Sequence, residues 1–205
     1  MAFAAAVVCP DGQQDIHGSL QRLVELSLLR QEVGPEGEPR FHMLEPLRDF
    51  GLHRLSAAGA VEETRARHAA FFLALVQEAA PLLHGPTQRP WLERLATEHD
   101  NLRSALTWAL THQSETALRL AAALHWFWFY RGHLSEGGDW TERALASGAS
   151  APPEVRVRAL NGSSAFARER ADTQTAAYRA EEAFAVARSE GDRSGEGWAL
   201  SLIHI

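Results

Sequence analysis

The sequence predicts a mostly α-helical chain in which one small β-hairpin is followed by an array of helical hairpins. Three observations carry this expectation. Ala and Leu supply 35 and 26 of the 205 residues, whereas Ile and Val together supply 12. That balance favours helix over strand. Beyond Val61 the apolar residues recur every three or four positions, the period of a one-sided helix. First-helix positions then return roughly every 38 to 40 residues, a period typical of stacked helical-hairpin repeats.

The first part, residues 1–59, mixes helix and strand signals. Residues 4–9 can be helical and are ended by Pro10-Asp11-Gly12. Residues 17–28 place Leu20, Leu23, Val24 and Leu28 at helical spacing, with Gly18-Ser19 as the expected cap. Residues 28–33 turn strand-like, and the Gly- and Pro-rich stretch 34–39 reads as a turn. Residues 40–44 alternate polar and apolar, as a returning strand should. Residues 45–58 are again helical, with Leu47, Phe50, Leu52 and Leu55 as the apolar face. Helix, hairpin and helix in this order make the back half of a winged helix.

From residue 61 only helices are expected. Residues 60–112 read as a helical linker opening the array, and 113–205 as the repeats themselves. In residues 61–83 the series Ala69, Phe72, Val76, Ala79, Leu83 forms one stripe, broken by Gly85-Pro86-Thr87. A single helix over 87–111 follows, carrying Trp91, Leu95, His99, Leu102, Leu106 and Leu110. Helix pairs come next, 115–131 with 134–146 and 153–170 with 173–189, and a fifth start lies at Arg193. In the last full pair Ala159, Gly162 and Ser163 are expected to face Ala176, Ala177, Ala180 and Ala183, because small residues let paired helices approach closely.

Composition removes several function classes. All 20 basic residues are Arg, so no phosphate-loop, Schiff-base or kinase lysine exists in this sequence. The net charge of -6 disfavours a surface that coats nucleic acid. One Cys excludes an internal disulfide framework and a multi-cysteine zinc site. No apolar run approaches the roughly 20 residues of a membrane span, and none carries the flanks of a signal peptide. The expected location is the cytoplasm, with no membrane partner and no cofactor.

Three stretches carry a family resemblance. Arg40-Phe41-His42-Met43-Leu44-Glu45-Pro46-Leu47-Arg48-Asp49-Phe50 resembles the end of the winged helix in bacterial signal-transducing (STAND-type) ATPases. Glu98-His99-Asp100-Asn101-Leu102-Arg103-Ser104-Ala105-Leu106 and Tyr130-Arg131-Gly132-His133-Leu134 resemble the same proteins, in the same order. The chain is thus similar to large transcriptional regulators of the LuxR/SARP type. That resemblance implies an NTPase module, a winged helix and tetratricopeptide repeats. No GxxxxGK[ST] loop occurs, so the NTPase module is expected outside this sequence. The chain reads as a fragment that opens inside the winged helix. At its other end Leu202-Ile203-His204-Ile205 is expected to stop a repeat helix as a tail from a break in sequence assembly.

Each candidate site weighs against a structural alternative. The expected recognition helix sets Arg22 and Arg30 against Glu25 and Glu32, so direct DNA contact by this segment is disfavoured. Related eukaryotic ATPases carry Met-His-Asp where this sequence has Met43-Leu44-Glu45, and leucine cannot bind a phosphate. That junction is expected to be structural. His99, without an HExxH partner, reads as a hydrogen-bonded core histidine. Gly162-Ser163-Ser164 is not a GxSxG elbow.

The strongest local feature is Trp126-Phe127-Trp128-Phe129-Tyr130. At about 100° per residue the five rings cover nearly the whole helix circumference. Phe127 and Trp128 continue the face of Leu120, Ala121 and Leu124 and are expected in the core. Packing between the neighbouring repeats is expected to hide most of both faces; the alternative is a groove in which Trp126 or Tyr130, with Arg119 and Arg131, meets a partner or ligand. The expected function is non-catalytic: the coupling and sensor arm of a signal-responsive transcriptional regulator. Its partners would be another protein or its own NTPase module, with a small effector as a further candidate. The rival reading is a stand-alone tetratricopeptide scaffold that gathers protein partners.

Overall fold

A computed structural model describes residues 15–34, 37–147 and 151–203. The helix expected over residues 4–9 lies outside these, as do His204 and Ile205. The chain is mostly α-helical, with a two-stranded antiparallel hairpin followed by a helical array. It divides into two compact units, Met1–Phe71 and Phe72–Ile205, each described in turn.

The first unit opens with α1 (Ile16–Glu25). Its cap is Asp15 rather than the expected Gly18-Ser19: the Asp15 carboxylate accepts from the Gly18 N–H at 2.8 Å, satisfying a free helix donor. Strands β1 (Leu29–Val33) and β2 (Pro39–Met43) pair with Arg30 opposite His42 and Glu32 opposite Arg40. Helix α2 (Glu45–Ala57) follows directly, with Pro46 in its first turn, where no amide hydrogen is needed. The apolar face expected on α2 does not hold together. Phe50 is 64% exposed and Leu52 also stands exposed, while Leu47 and Leu55 are half-buried. Helix geometry explains the difference, since Leu47 and Leu55 lie within about 80° of each other and Phe50 and Leu52 fall on either side of them.

Helix α3 (Val61–Ala79) carries the division between the units. All five residues of its predicted stripe are buried, ending at Leu83 beyond a short 3-10 turn, Ala80–Leu82. The single helix expected over residues 87–111 is two helices, α4 (Gln88–Thr97) and α5 (His99–His112). The break is at Glu98, whose N–H is shared between the carbonyls of Arg94 and Leu95 at 3.2 Å each. The stripe survives the break, because Leu95, Leu102 and Leu106 remain buried.

The array continues with α6 (Ser114–Arg131), α7 (Leu134–Ser147), α8 (Pro153–Glu169), α9 (Thr173–Glu190) and α10 (Arg193–Ile203). Each helix packs on the next, and α6 also packs on α8 and α8 on α10, as stacked hairpins require. Gly132 and Gly191 close α6 and α9 with left-handed φ of 75° and 71°. Leu202 and Ile203 continue α10 where the sequence reading ends it.

Side chains fill the array from α6 outward. Trp128, Phe127, Leu124 and Leu120 are buried, with Phe166 of α8 near Trp128 at 6.4 Å between ring centroids. A Cβ on Gly137 would lie 2.8 Å from that of Trp128, so α6 and α7 approach too closely for any other residue there. The face assignment predicted for α8 needs correction. Gly162 meets His125 on α6, Ser163 donates to Glu142 on α7, and Ser164 donates to the Ala176 carbonyl on α9 at 2.8 Å. Ala176, Ala180 and Ala183 are buried, but Ala177 is exposed. Because α8 is surrounded, three successive residues at about 100° steps meet three different helices.

Charged groups tie the same helices together. Arg179 donates to both Glu142 oxygens, at 3.0 and 2.5 Å, and to Glu182 at 2.8 Å, while Arg156 reaches Glu182 at 2.5 Å. Burial pushes the Glu142 carboxyl up, and hydrogen bonds from Arg179 and Ser163 more than reverse it. Among the described residues no helix is long and apolar enough to cross a membrane.

Candidate functional site

The aromatic run splits by helix face, as its spacing predicts. Phe127 and Trp128 point into the array, with Trp128 only 1% exposed. Trp126 turns the other way and shares a face with Arg119, Ala122 and Ala123, seven, four and three residues earlier. This face lines a cavity of about 530 Å³. Val155 and Arg158 of α8, Trp198 of α10, Gln77 of α3, and Ala80, Pro81 and His84 just after it complete the wall. Three first helices of successive hairpins thus contribute to one concavity.

Rings dominate its surface. Trp126 and Trp198 lie parallel, 5.8 Å apart at 8°, and Tyr130 stacks on Trp126 at 5.4 Å. His84 stands edge-on to Trp126 at 4.7 Å. Beneath them His125 is 2% exposed and contacts Trp126, Trp198 and Phe166 with centroids 4.5 to 5.3 Å away. Neither of its ring nitrogens has a hydrogen-bond partner among the described residues. Burial, and secondarily the nearby His84, lowers its pKa to about 3, so the imidazole is neutral at physiological pH.

The charges of this wall are basic. Arg119 is held by Glu115 one turn earlier, at 2.7 to 2.8 Å, which leaves part of its guanidinium unengaged. A second cavity of about 470 Å³ lies on the other side of Arg158 and Trp198, and Glu154, Glu190 and Asp192 are in its wall. The two concavities share one tryptophan and one arginine but carry opposite charge.

Comparison with known proteins now gives these features a setting. Over 166 residues, 77% of the chain, the sequence is 32% identical to proteins of Mycobacterium tuberculosis and Mycobacterium bovis named as HTH-type transcriptional regulators. The chain is a relative of transcriptional regulators. It spans 19% of the length of these relatives. No family model matches the chain, and no solved structure matches it.

Of the four groove residues read from the sequence of this regulator relative, Arg119 and Trp126 line the cavity. Tyr130 is 44% exposed and reaches the site by stacking on Trp126. Arg131 is exposed at the end of α6 and is not in the wall. Sequence reasoning missed His125, which lies on α6 beside Trp126, and His84, Arg158 and Trp198, which join the site only through helix stacking. The position of His125, three residues after Ala122, was the one available signal.

His99 is not in this cavity. Its Nε2 lies 3.2 Å from Glu136 on α7, in an orientation that makes no hydrogen bond, and its ring contacts Phe127 and His133. Arg103 holds both Glu136 oxygens at 2.6 and 2.8 Å and keeps that carboxyl at about 2. Burial lowers the pKa of His99. In the first unit His42 lies 3.5 Å from Glu32. Among the described residues no group of three His, Cys, Asp or Glu is placed to hold a metal ion.

Proposed function

We propose that this chain is the non-catalytic coupling and sensing segment of a signal-responsive transcriptional regulator acting in the cytoplasm. The observation that carries the reading is the aromatic, basic cavity in the helical array, built from α6, α8 and α10 together. A ligand or partner seated there touches three hairpins at once. Stacked repeats contact only their neighbours, so a small change in hairpin angle propagates along the array. The winged-helix-like unit then passes the change to a nucleotide-hydrolysing module elsewhere in the regulator. Two further facts support this reading. The relatives are named as transcriptional regulators and are about four times longer, and the sequence has no lysine for a phosphate loop.

The test has three arms on the purified chain. Equilibrium dialysis with labelled ATP should show no saturable low-micromolar binding. A gel shift at about 150 mM salt should show no sequence-selective DNA complex. A thermal-shift screen of small metabolites should find ligands that raise Tm in the parent and not in Trp126→Ala. ATP binding or a selective DNA shift would overturn the non-catalytic coupling role. Protein partners captured in the absence of any ligand response would favour the scaffold instead.

A further inference from the structure

The chemistry of the cavity narrows what it can sense, and this step rests on the sensing role above. Its volume of about 530 Å³ suits a single small ligand. Trp126 and Trp198 present parallel rings at 5.8 Å, a wall that a further planar ring can extend. Its ionisable lining groups are Arg119, Arg158, His84 and His125, with no carboxylate among them. Glu115 engages Arg119, but Arg158 makes no ion pair or hydrogen bond among the described residues. Glu154, Glu190 and Asp192 line the neighbouring cavity, which shares Arg158 and is the less favourable of the two for an anion. His125 supplies an independent observation: it is buried in the wall with both ring nitrogens unpartnered. A neutral imidazole donates from one nitrogen and accepts at the other; Nδ1 faces Gly162 of α8, which leaves Nε2 as the nitrogen for a ligand hydroxyl.

We propose that this cavity binds a small aromatic carboxylate, its ring along Trp126 and Trp198, its carboxylate on Arg158 and Arg119, and a ring hydroxyl toward His125. The guanidinium of Arg158 matches a carboxylate in a two-point geometry that an amide cannot reproduce.

Isothermal titration of the full chain at neutral pH tests this with benzoate, 4-hydroxybenzoate and indole-3-acetate beside their neutral amides. At least one acid should bind one to one, with its amide weaker by about tenfold or more. Arg158→Gln, an exposed position whose fold circular dichroism can check, should erase the difference between acid and amide. His125→Leu should erase any preference for 4-hydroxybenzoate over benzoate. The assignment is overturned if no acid binds more tightly than about 1 mM, or if Arg158→Gln leaves the discrimination intact. Amides that bind as well as the acids, and lose binding in Trp126→Ala, would overturn the anion assignment and leave the sensing role standing. ATP binding to the chain would instead remove the non-catalytic role and leave this site untouched.

Discussion

A Cβ placed on Gly162 of α8 would lie 2.9 Å from Nδ1 of His125 on α6 and 3.2 Å from its Cγ. The histidine cannot retreat easily, because Phe166, Trp126 and Trp198 surround it. One helix therefore lacks a side chain so that another can bury an imidazole beneath the cavity.

That relationship predicts the behaviour of Gly162→Ala. Alanine should add about 1 kcal/mol in helix propensity, while overpacking a filled site costs about 1–3 kcal/mol. The expected net effect is a lower urea midpoint. In a His125→Ala background the steric term disappears and the same substitution should be neutral or stabilising. A double-mutant cycle in urea measures the difference. Independent, additive effects would contradict the contact.

The two tryptophans of the run should behave differently. Trp128 is fully enclosed between Phe166 and the Gly137 backbone, so Trp128→Ala should cost about 3–5 kcal/mol. Trp126 is half-buried at the cavity wall, and its alanine variant should lose distinctly less. Denaturant melts of both variants check this. A Trp128→Ala protein that melts like its parent would refute the core assignment.

How far the sequence reaches is visible in these same residues. The three-and-four spacing of Ala69, Phe72, Val76, Ala79 and Leu83 is a property of one helix, and all five are buried as read. The hairpin strands were likewise legible from local alternation and turn residues. Face assignments on α8 were not, because residues 159–167 are buried on every side and leave no polar stripe to set the orientation. Gly162 and Ser163 thus turned out to face α6 and α7 rather than α9. Half of the cavity was readable from the Arg119 to Trp126 spacing on one helix. The other half depends on Arg158 and Trp198, which are 32 and 72 residues beyond Trp126 in sequence and arrive only by stacking.

Ala171 offers a stabilising change. It follows α8 with φ of 60°, whereas Gly132 and Gly191 occupy comparable left-handed positions at the ends of α6 and α9. A Cβ in that conformation costs roughly 1 kcal/mol, and glycine removes the cost at some expense in unfolded-state entropy. Ala171→Gly should stabilise the chain by about 0.5 kcal/mol net and so raise the urea midpoint modestly. A lower midpoint would show that the turn carries no such strain.

Acid should destabilise the array in two successive windows. His125 has a folded pKa lowered to about 3 by burial, against 6.5 when exposed. Between those values the unfolded chain holds the extra proton, so stability is full above 6.5 and is lost as pH falls. The slope from this one group is at most about 1.4 kcal/mol per pH unit. Glu136, held at about 2 by its hydrogen bonds from Arg103, adds its loss only as pH falls below 4.5. Its sign is the same, because protonation again favours the unfolded chain. His99, lowered by burial, adds to the first window. Melting temperature against pH should therefore decline from 6.5 downward and keep declining below 4.5. His125→Leu should flatten part of the first decline and Glu136→Gln the second. A parent profile that stays level between 6.5 and 4.5, or a His125→Leu profile with the parent's slope, would show that the buried imidazole is not held neutral.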